Sequence, residues 1–278
     1  MKQEPTPIAS TRIAFIGGGN MASAIIGGLI QQGLNGDQIT VVEPVAEQRT
    51  RLQAQFGVRT EAAAGPALQG SDLVVWAVKP QVFKPVAQDC AAQVAGALHL
   101  SVAAGIRSDS MAGWLGSERI VRAMPNTPAL VGQGMTGLYA RAAVAAADRG
   151  LIEAVIGTTG QYLWVEREAD LDAVTALSGS GPAYVFYFLE AMRQAGTEMG
   201  LSAETATRLA IGTFAGAAQL AQDASEPPEV LRQRVTSKGG TTYAALSSLE
   251  ANGVKAAFVQ AMHAAGRRAQ ELGDEFGA

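Results

Sequence analysis

The chain has 278 residues, 48% of them hydrophobic and 17% charged, with a formal net charge of −4. That is long enough for two domains with ordinary cores, too apolar for a disordered chain, and too acidic for nucleic-acid binding to be its main business. A single cysteine, Cys90, excludes a disulfide framework, and two distant histidines, His99 and His263, exclude a histidine-rich metal centre.

Residues 1–11 are polar and carry two prolines, and they read as a flexible tail. Arg12–Ile16 is a short apolar run ending in glycine, the pattern of a buried parallel strand. The uncharged stretch from Ile13 to Ile30 mimics a membrane span. Its glycines, with Asn20 and Ser23, divide it instead into a strand, a tight turn and a helix over Asn20–Gln32. Further strands are predicted at Ile39–Glu43, Asp72–Val78, Leu98–Ala103, Arg119–Met124, Gly134–Ala140 and Gln161–Val165. Helices are predicted at Ala46–Phe56, Gln81–Ala92, Asp109–Leu115 and Ala143–Ile156. This alternation implies a mostly parallel α/β sheet of the Rossmann type, covered on both faces.

Beyond Val165 the pattern changes. Ala-rich helical segments follow one another over Pro182–Met199, Ala203–Asp223, Pro228–Val235, Thr242–Glu250 and Val254–Leu272, broken at glycines and prolines. The segment around Ile211 to Ala218 is apolar nearly all round. A small helical domain has little interior in which to bury such a helix, so association between copies is expected.

Chemistry concentrates at strand ends and helix starts. Ile16-Gly17-Gly18-Gly19-Asn20-Met21-Ala22 reads G-x-G-x-x-A at the first strand-to-helix turn. There Gly17 permits the turn, Gly19 lets a phosphate approach, and the helix start attracts a pyrophosphate. Glu43 ends the second strand, where an acid bonds a ribose 2′-hydroxyl. Arg49 and Arg51 follow and are placed to meet a 2′-phosphate instead, so NAD and NADP both stay open. Ala77-Val78-Lys79-Pro80 and Ala103-Ala104-Gly105 also follow strand ends, and small residues at 103–105 suit a flat nicotinamide. Asn126, after the next strand, is placed to donate to its carboxamide. In the helical part, Ser237-Lys238-Gly239-Gly240-Thr241-Thr242 opens a helix with backbone N–H groups and hydroxyls suited to a carboxylate.

In order, FIGGGNMASAIIGGL, AVKPQ, SVAAGI, RAMPNTPA, LSGSGPAYVF and VTSKGGTTYAALSSLE resemble the segments of pyrroline-5-carboxylate reductases, from about Arg12 to Glu271. The resemblance implies reduction of the cyclic imine Δ1-pyrroline-5-carboxylate to L-proline by NADPH or NADH; because no other stretch reads as a membrane span, a cytoplasmic protein is expected. The resemblance implies a dinucleotide-binding domain over 12–165, a helical dimerisation and substrate domain over 166–278, and homodimers gathered into larger oligomers. It carries the cofactor positions onto Ile16 to Met21, Ala77 to Pro80 and Ala103 to Gly105, with Asn126 nearby. It carries substrate contacts onto Ser237, Gly240, Thr241 and Thr242, with Gly239 in the same turn. A glutamate near both ligands falls on Glu168, and a threonine near the imine on Thr175; Thr242 and Thr175 are the candidate catalytic residues. Two departures stand out: Lys238 where many members have proline, and Glu43 where many NADPH users have a small polar residue. The related β-hydroxyacid dehydrogenases need a lysine in their central helix, and the comparable stretch, Ser178–Phe188, has none.

Overall fold

A computed structural model describes residues 8–277. Eight strands form one sheet: β1 (Ile13–Ile16), β2 (Ile39–Val42), β3 (Arg59–Glu61), β4 (Leu73–Trp76), β5 (Leu98–Ser101), β6 (Ile120–Met124), β7 (Gly134–Ala140) and β8 (Gly160–Trp164). Their order is β3-β2-β1-β4-β5-β6-β7-β8. The first six follow the doubly wound order, which reverses direction between β1 and β4. All neighbours are parallel except β6 and β7. The cause is local: segment 125–133 has no room for a crossover helix, so the chain must turn back beside β6.

Alternation along the strands divides the core into two layers. Ile13 and Phe15 of β1 face one side, where they meet Ile25, Ile26 and Leu29 of α1 (Asn20–Gln31), Leu52 of α2 (Ala46–Phe56) and Ile152 and Val155 of α5 (Ala146–Ile156). Ala14 and Ile16 face the other, with Trp76, Phe83 of α3 (Pro80–Cys90) and Met111 of α4 (Ser108–Leu115). Cys90 of α3 is buried in this second layer.

Three expectations are corrected. The loose tail does not include residues 8–11, because Ile8 is buried in the first layer and Gln38 Nε2 donates to the carbonyls of Ala9 and Thr11; residues 1–7 lie outside the described residues. Strand β3 was not foreseen, since Arg-Thr-Glu carries no apolar signal and is held by pairing with β2. Residues 170–179, where no helix was predicted before Pro182, form α6 (Asp170–Val174) and a π-turn, Thr175–Gly179, closed by the bond from Ser180 N–H to Thr175 O at 2.8 Å.

The compact units also divide differently from a boundary at 165. The first runs to Ser180 and takes back the chain from Ala265; the second is Gly181–Ala264. The reason is packing: Val174 and Leu171 lie against Gly137 of β7, and Met124 lies against Gly179. In the second unit lie α7 (Gly181–Glu198), α8 (Ala203–Asp223), α9 (Pro228–Arg234), α10 (Thr241–Ala251) and the start of α11 (Val254–Phe276). Gly196 lets α7 approach Ala206 of α8, and Tyr184, Phe188 and Phe258 make edge-to-face contacts. Much of its apolar surface is open, including Phe186, Tyr187, Leu209 and Leu220. No helix among the described residues is long and apolar enough to cross a membrane.

His99 of β5 is buried, and its Nδ1 accepts from the Trp76 indole N–H at 3.3 Å. Burial, aided by the charge of Arg119, pushes the imidazole down from the usual 6.5 to about 4. The unfolded chain therefore takes up a proton that the folded chain refuses. Stability from this group is full above about pH 6.5 and is lost as pH falls toward 4. Between about pH 7 and pH 5 the wild type should lose about 2 kcal/mol more stability than His99→Asn in urea unfolding. Parallel pH profiles for the two proteins would refute the assignment.

Candidate functional site

The carboxyl ends of β1, β2, β3 and β4 enclose a cleft of about 570 Å³ beside the point where strand order reverses. That is the place and size of a small-molecule or cofactor site in an open α/β sheet. Its floor is the turn after β1. Gly17 has φ +97°, and a Cβ there would stand 2.6 Å from the Ala77 carbonyl oxygen, so no other residue fits. Gly17 N–H donates to Val42 O and Ala77 N–H to Ile16 O, both at 2.8 Å, which locks the turn between β2 and β4.

Gly19 is the N-cap of α1 and supplies no capping side chain, so the first N–H groups of the helix stay available. A Cβ at Gly19 would meet no protein atom within 4 Å. The space spared there is not used by the protein, which suits a phosphate approaching the helix start. Ala62, Ala63 and Ala64, after β3, and Val82 and Val86 of α3 give the rest of the cleft an apolar wall. Ala62, Ala63 and Ala64 escaped the sequence reading because β3 did; the small-residue run before Gly65 was the available signal.

Of the residues expected to hold the cofactor, Ile16, Gly17, Gly18, Gly19, Glu43, Ala77, Val78 and Lys79 line this cleft. Asn20 and Met21 form the first turn of α1, with Met21 packed on the core, and Pro80 opens α3. Ala103, Ala104, Gly105 and Asn126 are not part of its lining. Ala103 is buried in the second core layer. Gly105 has φ +75° and lies under α11, where a Cβ would come 3.2 Å from Leu272 Cβ. Asn126 accepts from Met135 N–H at 2.9 Å and donates to Ser178 O at 3.1 Å, so its amide ties β7 to the π-turn.

Glu168 is held by three hydrogen bonds. Its carboxylate accepts from Ser108 N–H at 2.6 Å, from Ser108 Oγ at 2.5 Å and from Arg122 at 2.8 Å. It thus caps α4 from a distant segment and pairs a buried arginine of β6. Sequence spacing gave no sign of this clamp, because its parts are 46 to 60 residues apart. Thr175 Oγ1 donates to Leu171 O at 2.7 Å, which leaves its oxygen lone pairs as acceptors. In the second unit, Ser237, Gly239, Gly240, Thr241 and Thr242 form a turn closed by Gly240 N–H to Ser237 O at 3.0 Å. Gly239 has φ +74°, and α10 starts from Gly240 with no side-chain cap, leaving its first N–H groups open. Neither histidine belongs to these sites, and the described residues hold no cluster of metal ligands.

Family comparison assigns the sheet-forming and helical parts of the chain to two different models. A family model described as NADP oxidoreductase, coenzyme F420-dependent, matches residues 12–105, and one described as pyrroline-5-carboxylate reductase dimerisation matches residues 168–272. The chain is thus a nicotinamide-dinucleotide oxidoreductase with a helical dimerisation domain. It is 47% identical to the pyrroline-5-carboxylate reductase of Pseudomonas aeruginosa, over 97% of this chain and all of that one. Among solved structures it resembles a pyrroline-5-carboxylate reductase from Coxiella burnetii, with TM-score 0.89, 38% identity and coverage of 95% and 98% of the two chains. It also resembles the Plasmodium falciparum enzyme with NADP bound, with TM-score 0.86, 28% identity and coverage of 96% and 99%. The chain belongs to the pyrroline-5-carboxylate reductase family, the oxidoreductases of proline biosynthesis that reduce this cyclic imine to proline with NAD(P)H.

Removing Glu168 should expose what the clamp contributes. Glu168→Ala leaves Arg122 unpaired and α4 uncapped and should lower unfolding free energy by about 3 kcal/mol. Glu168→Gln keeps an acceptor and should lose roughly half as much. Denaturant unfolding that places both variants within about 0.5 kcal/mol of wild type would contradict the clamp.

Proposed function

We propose that the catalysis rests on backbone donors and hydroxyls, with no general acid in the protein. The glycine turn Gly17–Gly19 and the start of α1 take the dinucleotide pyrophosphate; Ala77 to Pro80 and Ala103 to Gly105 border its nicotinamide end. When bound, the reduced nicotinamide supplies the hydride. The protein's own task is to hold the imine carbon against it and to anchor the substrate carboxylate. The turn Ser237–Thr242 fits the carboxylate, since α10 begins with unused N–H groups beside three hydroxyls. Lys238, exposed in the same turn, adds a cation to its rim.

The observation that carries this reading is the donor inventory. A pyrroline nitrogen is basic enough to arrive protonated, and an iminium needs acceptors and a fixed pose rather than an acid. Thr175, whose proton is spent on Leu171 O, offers an oxygen to such an N–H, and in the second unit Thr242 offers a hydroxyl at the first turn of α10. Glu168 and Asn126 enter as positioning residues for the segment that carries Thr175. The open apolar side chains of α7 and α8 support dimers gathered into a larger oligomer. We place the enzyme in the cytoplasm, with neither nucleic acid nor membrane as a partner.

The direct test is oxidation of NADH and NADPH by the purified protein on addition of Δ1-pyrroline-5-carboxylate. Thr242→Ala should lower kcat by more than roughly tenfold while leaving the affinity for free dinucleotide unchanged, and Thr242→Ser should recover most of the loss. Unaltered turnover in Thr242→Ala would remove that residue from the chemistry.

A further inference from the structure

We infer that Glu43 makes this enzyme select the dinucleotide that has a free ribose 2′-hydroxyl, NADH, and reject NADPH; the inference rests on the cleft's holding a dinucleotide. Glu43 follows β2 and lines the cleft. Its carboxylate is fixed at both oxygens: Oε2 accepts from Gly18 N–H at 3.0 Å and Oε1 from Val45 N–H at 2.9 Å. The Gln48 amide, donating to Gly18 O at 2.5 Å, holds the same turn from the other side. A carboxylate offers about four lone-pair sites, so two remain for hydroxyl donors of a ribose.

A 2′-phosphate would need the opposite surroundings, and the structure commits the nearest of them to other bonds. The two N–H groups that would bind an anion are held by Glu43 itself. Arg49, the nearest candidate cation in the sequence, spends its Nη1 on the carbonyls of Glu43 and Pro44, both at 2.8 Å. The ionisable carboxylates and ammonium lining the cleft are Glu43, Asp89 and Lys79, a net negative set. A phosphate monoester adds about −1.5 to −2 charges, and in a partly enclosed cleft that repulsion is screened less than in water.

The test uses the full-length protein and two probes that differ only at the 2′ position, 5′-AMP and adenosine 2′,5′-bisphosphate, with calorimetry as the readout. Wild type should bind 5′-AMP at least roughly tenfold more tightly. In Glu43→Ser the two freed N–H groups face the cleft, and the ratio should move toward the bisphosphate by at least roughly tenfold; Glu43→Gln, which removes the charge but keeps the size, should move it the same way by less. Circular dichroism and thermal unfolding establish that both variants are folded. Equal or tighter binding of the bisphosphate by wild type, or a ratio unmoved in both folded variants, overturns the inference. Turnover separates it from the assigned reaction. A protein that prefers 5′-AMP but reduces no pyrroline-5-carboxylate overturns the reaction and supports the inference. One that reduces it with higher kcat/KM for NADPH than for NADH overturns the inference and supports the reaction.

Discussion

The structure depends on one close approach, that of the turn after β1 to the end of β4. Gly17 sits so near the Ala77 carbonyl that a single added carbon would stand 2.6 Å from its oxygen. Because the two strand ends meet there, β1 can pair with β2 on one side and β4 on the other. The strand order then reverses at this place and opens the crevice. The same contact aims the start of α1 outward, with Gly19 leaving its N–H groups uncovered. Sheet topology, cleft and uncovered helix start are consequences of one glycine's missing side chain.

What was legible in the sequence followed from locality. Ile13–Ile16, Leu73–Trp76 and Leu98–Ser101 are short apolar runs that end in small or turn-forming residues, and such runs announce buried parallel strands unaided. The glycine turn was legible because its requirement for positive φ and close approach is written in three consecutive residues. What was not legible is set by partners far away in the chain. Arg59–Glu61 is a strand because β2 offers it hydrogen bonds, not because of its own composition. Ser180 lies with the sheet unit because Met124, Asn126 and Met135 hold the π-turn before it. Glu168 is a carboxylate near two proposed ligands by resemblance, and in the structure it also caps α4 and pairs Arg122, a role only the folded chain reveals.

Scarcity of titratable side chains first looks like an argument against catalysis. The two histidines show why it is not. His99 is spent in the core, neutral and bonded to Trp76, and His263 lies on α11. Where the reaction brings its own hydride and a substrate that arrives protonated, a strong acid would have little to add. The useful property is then preorganised donors and acceptors, and glycine-rich turns at helix starts supply donors without conformational adjustment. The abundance of glycine, 32 of 278 residues, and the shortage of histidine, two residues, are two sides of one design.

That design places a demand on the second unit. Its buried residues are Gly196, Ala206 and Ala210, all small, whereas Phe186, Tyr187, Leu209, Ile211 and Leu220 lie open. Small buried residues allow α7 and α8 to pack closely but bury little apolar area between them. A helical unit built this way gains most of its hydrophobic stabilisation only when a second copy covers the open face, which is what a dimerisation domain does. The turn Ser237–Thr242 and the start of α10 are mounted on this unit. The rigidity of the donors proposed for the substrate therefore depends on association, whereas the glycine turn proposed for the dinucleotide is fixed within a single chain.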